Sequence, residues 1–394
     1  MEKQIKRHRI FSIGLEYYFL FIITLILSVI GVVMIASASA SVGERYFNDP
    51  YWFIRRQVIW WSISFIFFLI ASRIDYKIYR KFSIFVMLIM VGLLALVLIP
   101  RFSIESGGSR RWLDLWFFNP QPSEFAKLAL IIFFSDYINR DYIKDERIKR
   151  ILWPPFFILC LVTVLIFLEP DLSTVIVIWL IIFMILYVSG VRLKHILGLG
   201  FIGAAVTIGY LFLEDYRRER LLAFLNGTAE SGGANFQINQ SLIALGSGNV
   251  LGLGLGNSVQ KYSYLPAAQT DFIFAIIGEE LGLIGTMLIV ILFLLFAFFG
   301  IRVCLKTADN YGRALAAGCA GMIVIPAIIN ISVVTGLLPV TGLTLPFISF
   351  GGSSLLLNMI SVGILLNISR QNLLIRRIKK DINSKIMSNE KNIK

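Results

Sequence analysis

Long apolar stretches follow one another along almost the whole of this 394-residue chain. A helix needs about 20 apolar residues to cross the hydrocarbon core of a bilayer, where no water is present to satisfy an open backbone. We therefore predict an all-α polytopic membrane protein that forms a single membrane domain over residues 1–394. The spans, about ten in number, are 17–37, 55–72, 82–100, 122–138, 151–169, 172–190, 194–213, 272–300, 311–334 and 345–369.

The composition agrees with this class. The chain is 57% hydrophobic and only 15% charged, whereas a soluble domain carries about 25% charged residues. The net charge of +13 does not require a nucleic-acid partner, because many of the basic residues lie beside predicted spans, where topology and anionic lipids explain them. We expect no nucleic-acid binding, and we interpret the basic tail RQNLLIRRIKK as a membrane-surface segment.

The distribution of Lys and Arg predicts the orientation, since cytoplasmic loops are enriched in both. Residues 1–16 and the tail 370–394 are basic and are assigned to the cytoplasm, which agrees with an even number of spans. The long loop 214–270, between the seventh and eighth predicted helices, then faces outward. Asp271, at the end of this loop, faces outward as well.

The outward face contains no predicted histidine. His8 and His195 are the two histidines of the chain, and both are assigned to the cytoplasmic side. An outward Ser-His-Asp triad or His-ligated zinc is therefore excluded. Outward chemistry must use carboxylates, Arg and Lys, hydroxyls, backbone groups or a metal held by oxygen ligands.

Two outward segments contain arginines. Arg110 and Arg111 lie between Ser109 and Trp112, a setting that fits an interfacial anchor and a phosphate or diphosphate clamp equally well. Arg217, at the start of the long loop, lies among acidic residues in EDYRRER. Local ion pairing is the favoured role there.

Charged residues also occur at the start of predicted spans. In PSEFAKLAL, Glu124 and Lys127 are three residues apart, so they share one helical face and can pair. We favour a functional site over a structural pair, because intramembrane charges are usually functional. In LEPDLSTVIV, Asp171 is interpreted as a helix cap, and the role of Glu169 is left open.

Asp271 directly precedes an apolar run that contains Glu279 and Glu280. An N-cap role would explain Asp271 but not two glutamates one to two turns deeper. On a helix, Gly278 and Gly282 share the face of Asp271 and allow close approach of another segment. We predict a cavity with Asp271 at its mouth and polar groups below. From these residues alone, catalysis or transport is as well supported as a structural role.

Three further outward segments have predicted conformations. The run GSGNVLGLGLGNS follows no soluble strand and opens no βαβ unit, so it is predicted to be a flexible loop. Residues 221–225 and 238–245 are apolar enough for short helices that lie on the bundle or in the membrane interface. Residues 335–356 contain prolines and Gly-Gly in apolar sequence. Irregular backbone at membrane depth occurs only where protein or a water-filled cavity covers it, so this segment is predicted to line the cavity.

Several long motifs resemble the SEDS family (shape, elongation, division and sporulation proteins). In chain order they are GSRRWLDLWFFNPQPSEFAKLAL, LEPDLSTVIVIWL, YRRERLLAFL, GLGNSVQKYSYLPAAQTDFIFAIIGEELGLIG and GLLPVTGLTLPFISFGGSSLL. GNSVQKYSYLP is more similar to the cell-division branch, FtsW, or its sporulation relative, than to the elongation branch, RodA.

The resemblance implies ten spans and a peptidoglycan glycosyltransferase. Such an enzyme polymerises lipid II on the outer face of the bacterial plasma membrane. The resemblance also implies a class B penicillin-binding protein and other membrane proteins of the division machinery as partners. By match to the family's motifs, Asp271 takes the place of the essential carboxylate, and Arg110, Lys127, Glu279 and Glu280 match other important positions.

The chain departs from the family pattern at two places. The family usually reads PEAHTD, whereas this chain reads PAAQTD, so Ala267 and Gln269 replace a Glu and a His. Phe350 stands where a Tyr is commoner.

The expected mechanism uses Asp271 as the base that takes a proton from the acceptor's 4-hydroxyl. Cations would hold the leaving diphosphate. The candidates for that role are Arg110, Arg111, Lys127, Arg217 and Lys261. Supporting roles are assigned to Glu124, Glu279, Glu280 and Ser353. A divalent cation, Mg²⁺ or Mn²⁺, held by oxygen ligands is compatible with this chemistry. The alternatives are a lipid II flippase and a non-catalytic scaffold of the division machinery.

Overall fold

The computed structural model describes residues 14–106, 109–115, 118–140, 148–212, 218, 224, 234–262 and 265–393. This part of the chain is mostly helical and contains one two-stranded sheet. The helices are α1 (Leu15–Phe47), α2 (Trp52–Arg73), α3 (Tyr76–Lys81), α4 (Ser83–Val97), α5 (Pro122–Ile138), α6 (Ile148–Leu168), α7 (Leu172–Val188), α8 (Leu193–Phe212), α9 (Ala234–Ser247), α10 (Ile273–Lys306), α11 (Asn310–Val334) and α12 (Gly352–Ile393). The strands are β1 (Ser103–Ser106) and β2 (Ser109–Leu113).

Within the described ranges, ten helices run between the two ends of the bundle, and only α3 and α9 do not. The end that carries the β1–β2 hairpin and α9 is called the hairpin end, and the opposite end, where α1 begins, is called the terminal end. Six of the described helices are long and apolar enough to cross a membrane, and three shorter apolar helices accompany them. The predicted fold class, an all-α polytopic membrane protein, is confirmed apart from the small hairpin.

The innermost helices position the site. Helix α12 packs along α2, and α10 packs against both α1 and α11. Most of α5 is buried, whereas α8 contacts mainly α7 and is largely exposed. The bundle therefore has an inner group, α5, α7, α11 and α12, whose hairpin-end termini face one another.

The hairpin is the one departure from the all-helical prediction. Its strands pair antiparallel, with Glu105 opposite Arg110. The register shifts between Ile104 and Glu105, which leaves Arg111 as the extra residue of a β-bulge, without a partner on β1. Because a bulge redirects a side chain, the directions of Arg110 and Arg111 are set by this irregularity.

Helix α10 is broken at Gly282, where φ is 67° and ψ is −163°. The glycine-rich segment 248–254 enters the break, and a side chain on Gly248 would overlap the carbonyl of Gly278. Four main-chain hydrogen bonds of 2.9–3.3 Å close the break: Leu253 N to Glu279 O, Gly254 N to Glu280 O, Leu283 N to Asn249 O, and Ile284 N to Val250 O.

These contacts correct two expectations. The prediction of a flexible glycine-rich loop is wrong for residues 248–254, because their main chain completes the hydrogen bonding of α10. The common face expected for Asp271, Gly278 and Gly282 does not hold either, since the helix changes direction at Gly282. The close approach expected at Gly278 is confirmed.

The remaining expectations for individual segments have mixed outcomes. The helix predicted over 238–245 is confirmed within α9, whereas 221–225 lies outside the described residues apart from one position. The tail after residue 370 continues α12 to Ile393. The tail is therefore helical and continuous with the last candidate span, and its predicted location at the membrane surface stays a prediction.

A side chain at residue 282 should destabilise the protein. The conformation of Gly282 lies in a region that other residues adopt at a cost of about 1–3 kcal/mol, and a Cβ there would overlap Gly252 N and Val250 O. We expect Gly282→Ala to lower the thermal unfolding midpoint of the detergent-purified protein by several degrees. Gly92→Ala in α4 is the matched control, because its Cβ would have no neighbour within 4 Å, and it should keep or slightly raise the midpoint, since Ala favours a helix more than Gly does. Equal midpoints for both variants would contradict the assigned break.

Candidate active site

A cavity of about 670 Å³ opens among the hairpin-end termini of the inner helices. Its walls come from α2, α5, α7, the hairpin, and the irregular segment before α12, which confirms the expectation that residues within 335–356 line a cavity. The charged side chains that line it are Arg56, Arg111, Glu124, Lys127, Asp171 and Asp271.

Asp271 lies in the cavity wall just before α10. The helix begins at Ile273, and its N-cap residue is Phe272, with no side-chain cap hydrogen bond. The N-cap explanation for Asp271 is therefore wrong, and the carboxylate is half-buried beside Gly342.

The main chain around Asp271 is held from two sides. Buried Asn330 of α11 donates through Nδ2 to the carbonyl of Asp271 at 2.7 Å and to that of Leu343 at 2.6 Å. Ser349 Oγ donates to the carbonyl of Thr270 at 2.5 Å. These bonds join the Asp271 segment to the irregular segment that forms the adjoining wall, so the position of the carboxylate depends on both.

Lys127 and Glu124 form a buried ion pair in the first two turns of α5, with Nζ and Oε1 2.6 Å apart. Both side chains line the cavity, as their shared helical face requires. The pair leaves little net charge at this part of the wall, although its charged atoms remain within reach of a ligand.

The two neighbouring arginines point to different surroundings. Arg111 lines the cavity and donates through Nε to the carbonyl of Glu169 at 3.0 Å and through Nη2 to that of Pro170. Arg110 lies outside the cavity and pairs with exposed Glu105 at 3.1 Å. The structure therefore brings Arg111, and not Arg110, to Asp271 and Lys127.

Arg56 also lines the cavity, although sequence analysis did not select it. It lies in the first turns of α2, with its guanidinium carbon 4.1 Å from the centroid of the Trp52 ring. The sequence feature that could have identified Arg56 is its predicted outward position, since arginine is less frequent in outward loops.

Asp171 serves both as a cap and as part of the wall. It is the N-cap of α7 and accepts from the Thr174 N–H at 3.2 Å, as predicted. Its other oxygen accepts from Gln121 Nε2 at 3.2 Å. The N–H of Gln121 in turn donates to Ser353 Oγ at 3.3 Å, which places Ser353 in the cavity wall.

Glu169 lies in the turn between α6 and α7. Burial is the largest influence on it and, together with the charge of Asp171, raises the pKa of its carboxyl to about 9. The group is therefore neutral at pH 7 and adds no negative charge beside Arg111.

Glu279, Glu280 and Lys261 lie outside the cavity, in a separate buried cluster. Lys261 Nζ is 3.0 Å from Glu280 Oε1, and Ser37 of α1 donates to the same carboxylate at 2.6 Å. Glu279 accepts from the Val259 N–H at 2.9 Å. The charge of Lys261 is neutralised there, so the structure does not bring it to the position expected for a diphosphate ligand.

Two expected features are not part of the described site. Arg217 lies outside the described residues. Among the residues that are described, no three His, Cys, Asp or Glu side chains are grouped to hold a metal ion.

The fold and the cavity define a polytopic membrane protein with a partly apolar cavity at one end, lined by three basic and three acidic side chains. The chain belongs to the FtsW, RodA and SpoVE family of cell cycle proteins, whose profile matches residues 17–373.

Similar proteins cover nearly the whole chain. Stage V sporulation protein E of Bacillus subtilis (strain 168) is 43% identical over 351 residues, which are 89% of this chain and 96% of that protein. The probable peptidoglycan glycosyltransferase FtsW of Geobacter sulfurreducens is 40% identical over 346 residues, covering 87% of this chain and 92% of its own.

Solved structures share the fold. A chain of a peptidoglycan synthase complex that coordinates polymerization and crosslinking superposes with a TM-score of 0.72 at 24% identity, over 90% of this chain and 98% of that one. The rod shape determining protein RodA of Thermus thermophilus gives a TM-score of 0.66 at 24% identity, over 90% and 96%.

Removal of Lys127 should destabilise the protein through its partner. Lys127→Met leaves Glu124 without its counter-ion, and we expect a loss of about 1–3 kcal/mol, below the about 3–5 kcal/mol typical of a fully enclosed pair because the cavity admits water. The double variant Lys127→Met/Glu124→Gln should recover part of the loss in thermal unfolding of the detergent-purified protein. A double variant less stable than the single one would contradict the assigned pairing.

Proposed function

We propose that this protein is a peptidoglycan glycosyltransferase that polymerises lipid II into β-1,4-linked glycan strands in the cavity. The observation that carries the proposal is the position of Asp271 in one cavity with Arg56, Arg111 and Lys127. A carboxylate beside several cations suits removal of a proton from a hydroxyl next to a diphosphate. Family membership and relatives named as peptidoglycan glycosyltransferases support the activity.

Asp271 acts as the general base. Transfer from an α-diphosphate donor to a β-linked product inverts the anomeric centre, so one direct displacement suffices. The carboxylate takes the proton of the acceptor's 4-hydroxyl while that oxygen bonds to the anomeric carbon and the bond to the diphosphate breaks. Because Asn330 donates a hydrogen bond to the main-chain carbonyl of Asp271, the position of the base is fixed by the fold.

The cations stabilise the leaving diphosphate, which needs charge neutralisation more than an acid. Both of the Arg111 hydrogen bonds at the α6–α7 turn go to main-chain carbonyls, which carry no net charge. Arg56 lies over the Trp52 ring, whereas Lys127 shares its charge with Glu124. We therefore assign the diphosphate first to Arg111 and Arg56, with Lys127 in support.

A divalent cation, Mg²⁺ or Mn²⁺, would take most of its ligands from the substrate. Glu124 is engaged by Lys127, and Asp171 by Thr174 and Gln121. Mg²⁺ in proteins commonly binds one or two carboxylates together with substrate phosphates. No step of the mechanism above requires the cation.

We place the hairpin end outside the bacterial plasma membrane and both termini in the cytoplasm. Basic side chains at the terminal end support this topology, since Lys and Arg mark the cytoplasmic side. Those described there include Arg80, Arg140, Arg302, Lys306 and Arg313. The cavity then faces the side on which peptidoglycan is assembled.

The lipid II flippase is the second candidate. A flippase needs polar groups that continue toward the cytoplasmic side. Below Lys127, the α5 residues 128–134 are all apolar and buried, so this helix offers no polar path toward the terminal end. The apolar stretch favours the polymerase.

The departures from the PEAHTD pattern leave the turn before Asp271 intact. The carbonyl of Ala267 accepts from the Thr270 N–H at 3.0 Å, and the carbonyl of Gln269 accepts from the Phe350 N–H at 3.0 Å. Both bonds use main-chain groups. We therefore expect the base to function without the Glu and His side chains that the family usually has.

A class B penicillin-binding protein is the proposed partner and would crosslink the strands. The structural similarity to a chain of a peptidoglycan synthase complex supports such an assembly. Similar relatives are named for sporulation and for FtsW, and we propose a role in cell division, with other division proteins of the membrane as further partners.

Asp271→Asn should lower polymerisation of lipid II by at least about 10²-fold, because an amide cannot take the proton. The assay uses the purified protein with its cognate penicillin-binding protein, whose transpeptidase is blocked, in parallel with Mg²⁺ and with EDTA. Glu105→Gln, an exposed carboxylate outside the cavity, is the matched control and should retain wild-type rates. Equal rates for Asp271→Asn and wild type would exclude Asp271 as the base, and no polymer from wild type would favour the flippase or the scaffold.

The adjacent arginines provide a sharper test of the cavity. Arg111→Gln should reduce the polymerisation rate by about 10²-fold, as expected for removal of a charge-stabilising donor. Arg110→Gln should reduce it far less, since that side chain lies outside the cavity beside Glu105. The reverse order of effects would contradict the assignment of Arg111 to the diphosphate.

A further inference from the structure

The glycine-rich segment that completes α10 exposes several apolar side chains. Val250, Leu251, Leu253 and Leu255 are each between 42% and 79% exposed. Residues 234–260, which include this segment and α9, contain no Asp, Glu, Lys or Arg. An uncharged surface with exposed leucines is unusual for a loop in water.

The backbone of this segment meets the requirement for contact with lipid. Irregular backbone is tolerated at membrane depth only where its polar groups are paired within the protein. The N–H groups of Gly252, Leu253 and Gly254 all donate to main-chain carbonyls at 2.8–3.0 Å. The carbonyls of Asn249 and Val250 accept from α10. The segment therefore exposes apolar side chains while these main-chain groups are paired within the protein.

The length of α10 sets the level of the segment in the membrane. From Gly282 to Ile301 the sequence contains no charged residue, and at 1.5 Å per residue this run spans about 30 Å, the thickness of the hydrocarbon core. Arg302 and Lys306, at its terminal end, pair with Glu16. The break at Gly282 thus lies at the hydrocarbon boundary on the hairpin end, and the segment bonded to it lies at the same level.

The exposed surface is continuous with the outer side of α10. Leu283, Ile284, Met287 and Leu288 are about half exposed, as expected for side chains that face lipid. The Ile284 N–H donates to the carbonyl of Val250 at 3.3 Å, so Leu251 extends this apolar surface beyond the helix.

We propose that residues 250–255 lie at the membrane boundary of the leaflet at the hairpin end and insert their exposed apolar side chains among the heads of the acyl chains, with lipid as the occupant of this surface. The proposed topology makes this the outer leaflet. The long loop is then only partly extracytoplasmic, because its second half lies in the membrane interface. Since the same segment bonds to Glu279 and Glu280, a few residues after Asp271, it would fix the height of the cavity mouth relative to the lipid headgroups.

The proposal is tested by the depth of a label at residue 251. Leu251→Cys is prepared after Cys160, Cys304 and Cys319 are replaced by Ala, labelled with a fluorophore, and inserted without any partner protein into nanodiscs. The quenchers are lipids with a doxyl group near the head of the acyl chain and, separately, a water-soluble cobalt chelate. Leu255→Cys repeats the measurement at a second site.

The two matched controls are Leu294→Cys, on the exposed side of α10, and Glu105→Cys, on the exposed hairpin. We expect residue 251 to be protected from cobalt, as residue 294 is. The doxyl lipid should quench residue 251 more strongly than residue 294, because residue 294 lies about 18 Å deeper along α10. The depth of the label at residue 251 should match the level of Gly282, close to the boundary of headgroups and acyl chains. Quenching by cobalt as strong as at residue 105 would overturn the proposal and would mark the surface for a protein partner. The measurement does not require activity, so its failure is distinguishable from failure of the proposed function.

Discussion

Every main-chain polar group at membrane depth must find a partner within the protein, and this constraint governs the structure. Helices satisfy it internally, so the functional parts can leave the helix only where another segment supplies the missing bonds. The break of α10 at Gly282 is closed by residues 248–254. The segment before α12 is joined to the Asp271 segment through Asn330 and Ser349.

The same constraint explains why the site lies at one end of the bundle. Cations and carboxylates are expensive in hydrocarbon, but helix termini and irregular segments supply hydrogen bonds and admit water. Arg111 is held by main-chain carbonyls at the α6–α7 turn, and Asp171 caps α7. The buried apolar residues 128–134 lie beneath these groups. In this setting the charged side chains of the cavity have polar surroundings, while the stretch of α5 beneath them stays apolar.

The sequence predicted the features that depend on local residue patterns. It missed the features that depend on contacts between segments far apart in the chain. Apolar length predicted the spans, and the spacing of Glu124 and Lys127 predicted their ion pair. Sequence alone did not separate Arg110 from Arg111, because the separation requires a hairpin whose register is not visible in adjacent residues. It placed Lys261 with the diphosphate because its partner, Glu280, is brought to it only by the broken helix.

The most direct test of this account is a cryo-EM structure of the Asp271→Asn variant in nanodiscs with lipid II, in complex with its penicillin-binding protein. The account predicts an acceptor 4-hydroxyl within hydrogen-bond distance of residue 271, with the donor diphosphate beside Arg111 and Arg56. A diphosphate bound at another site, with no sugar hydroxyl near residue 271, would contradict it.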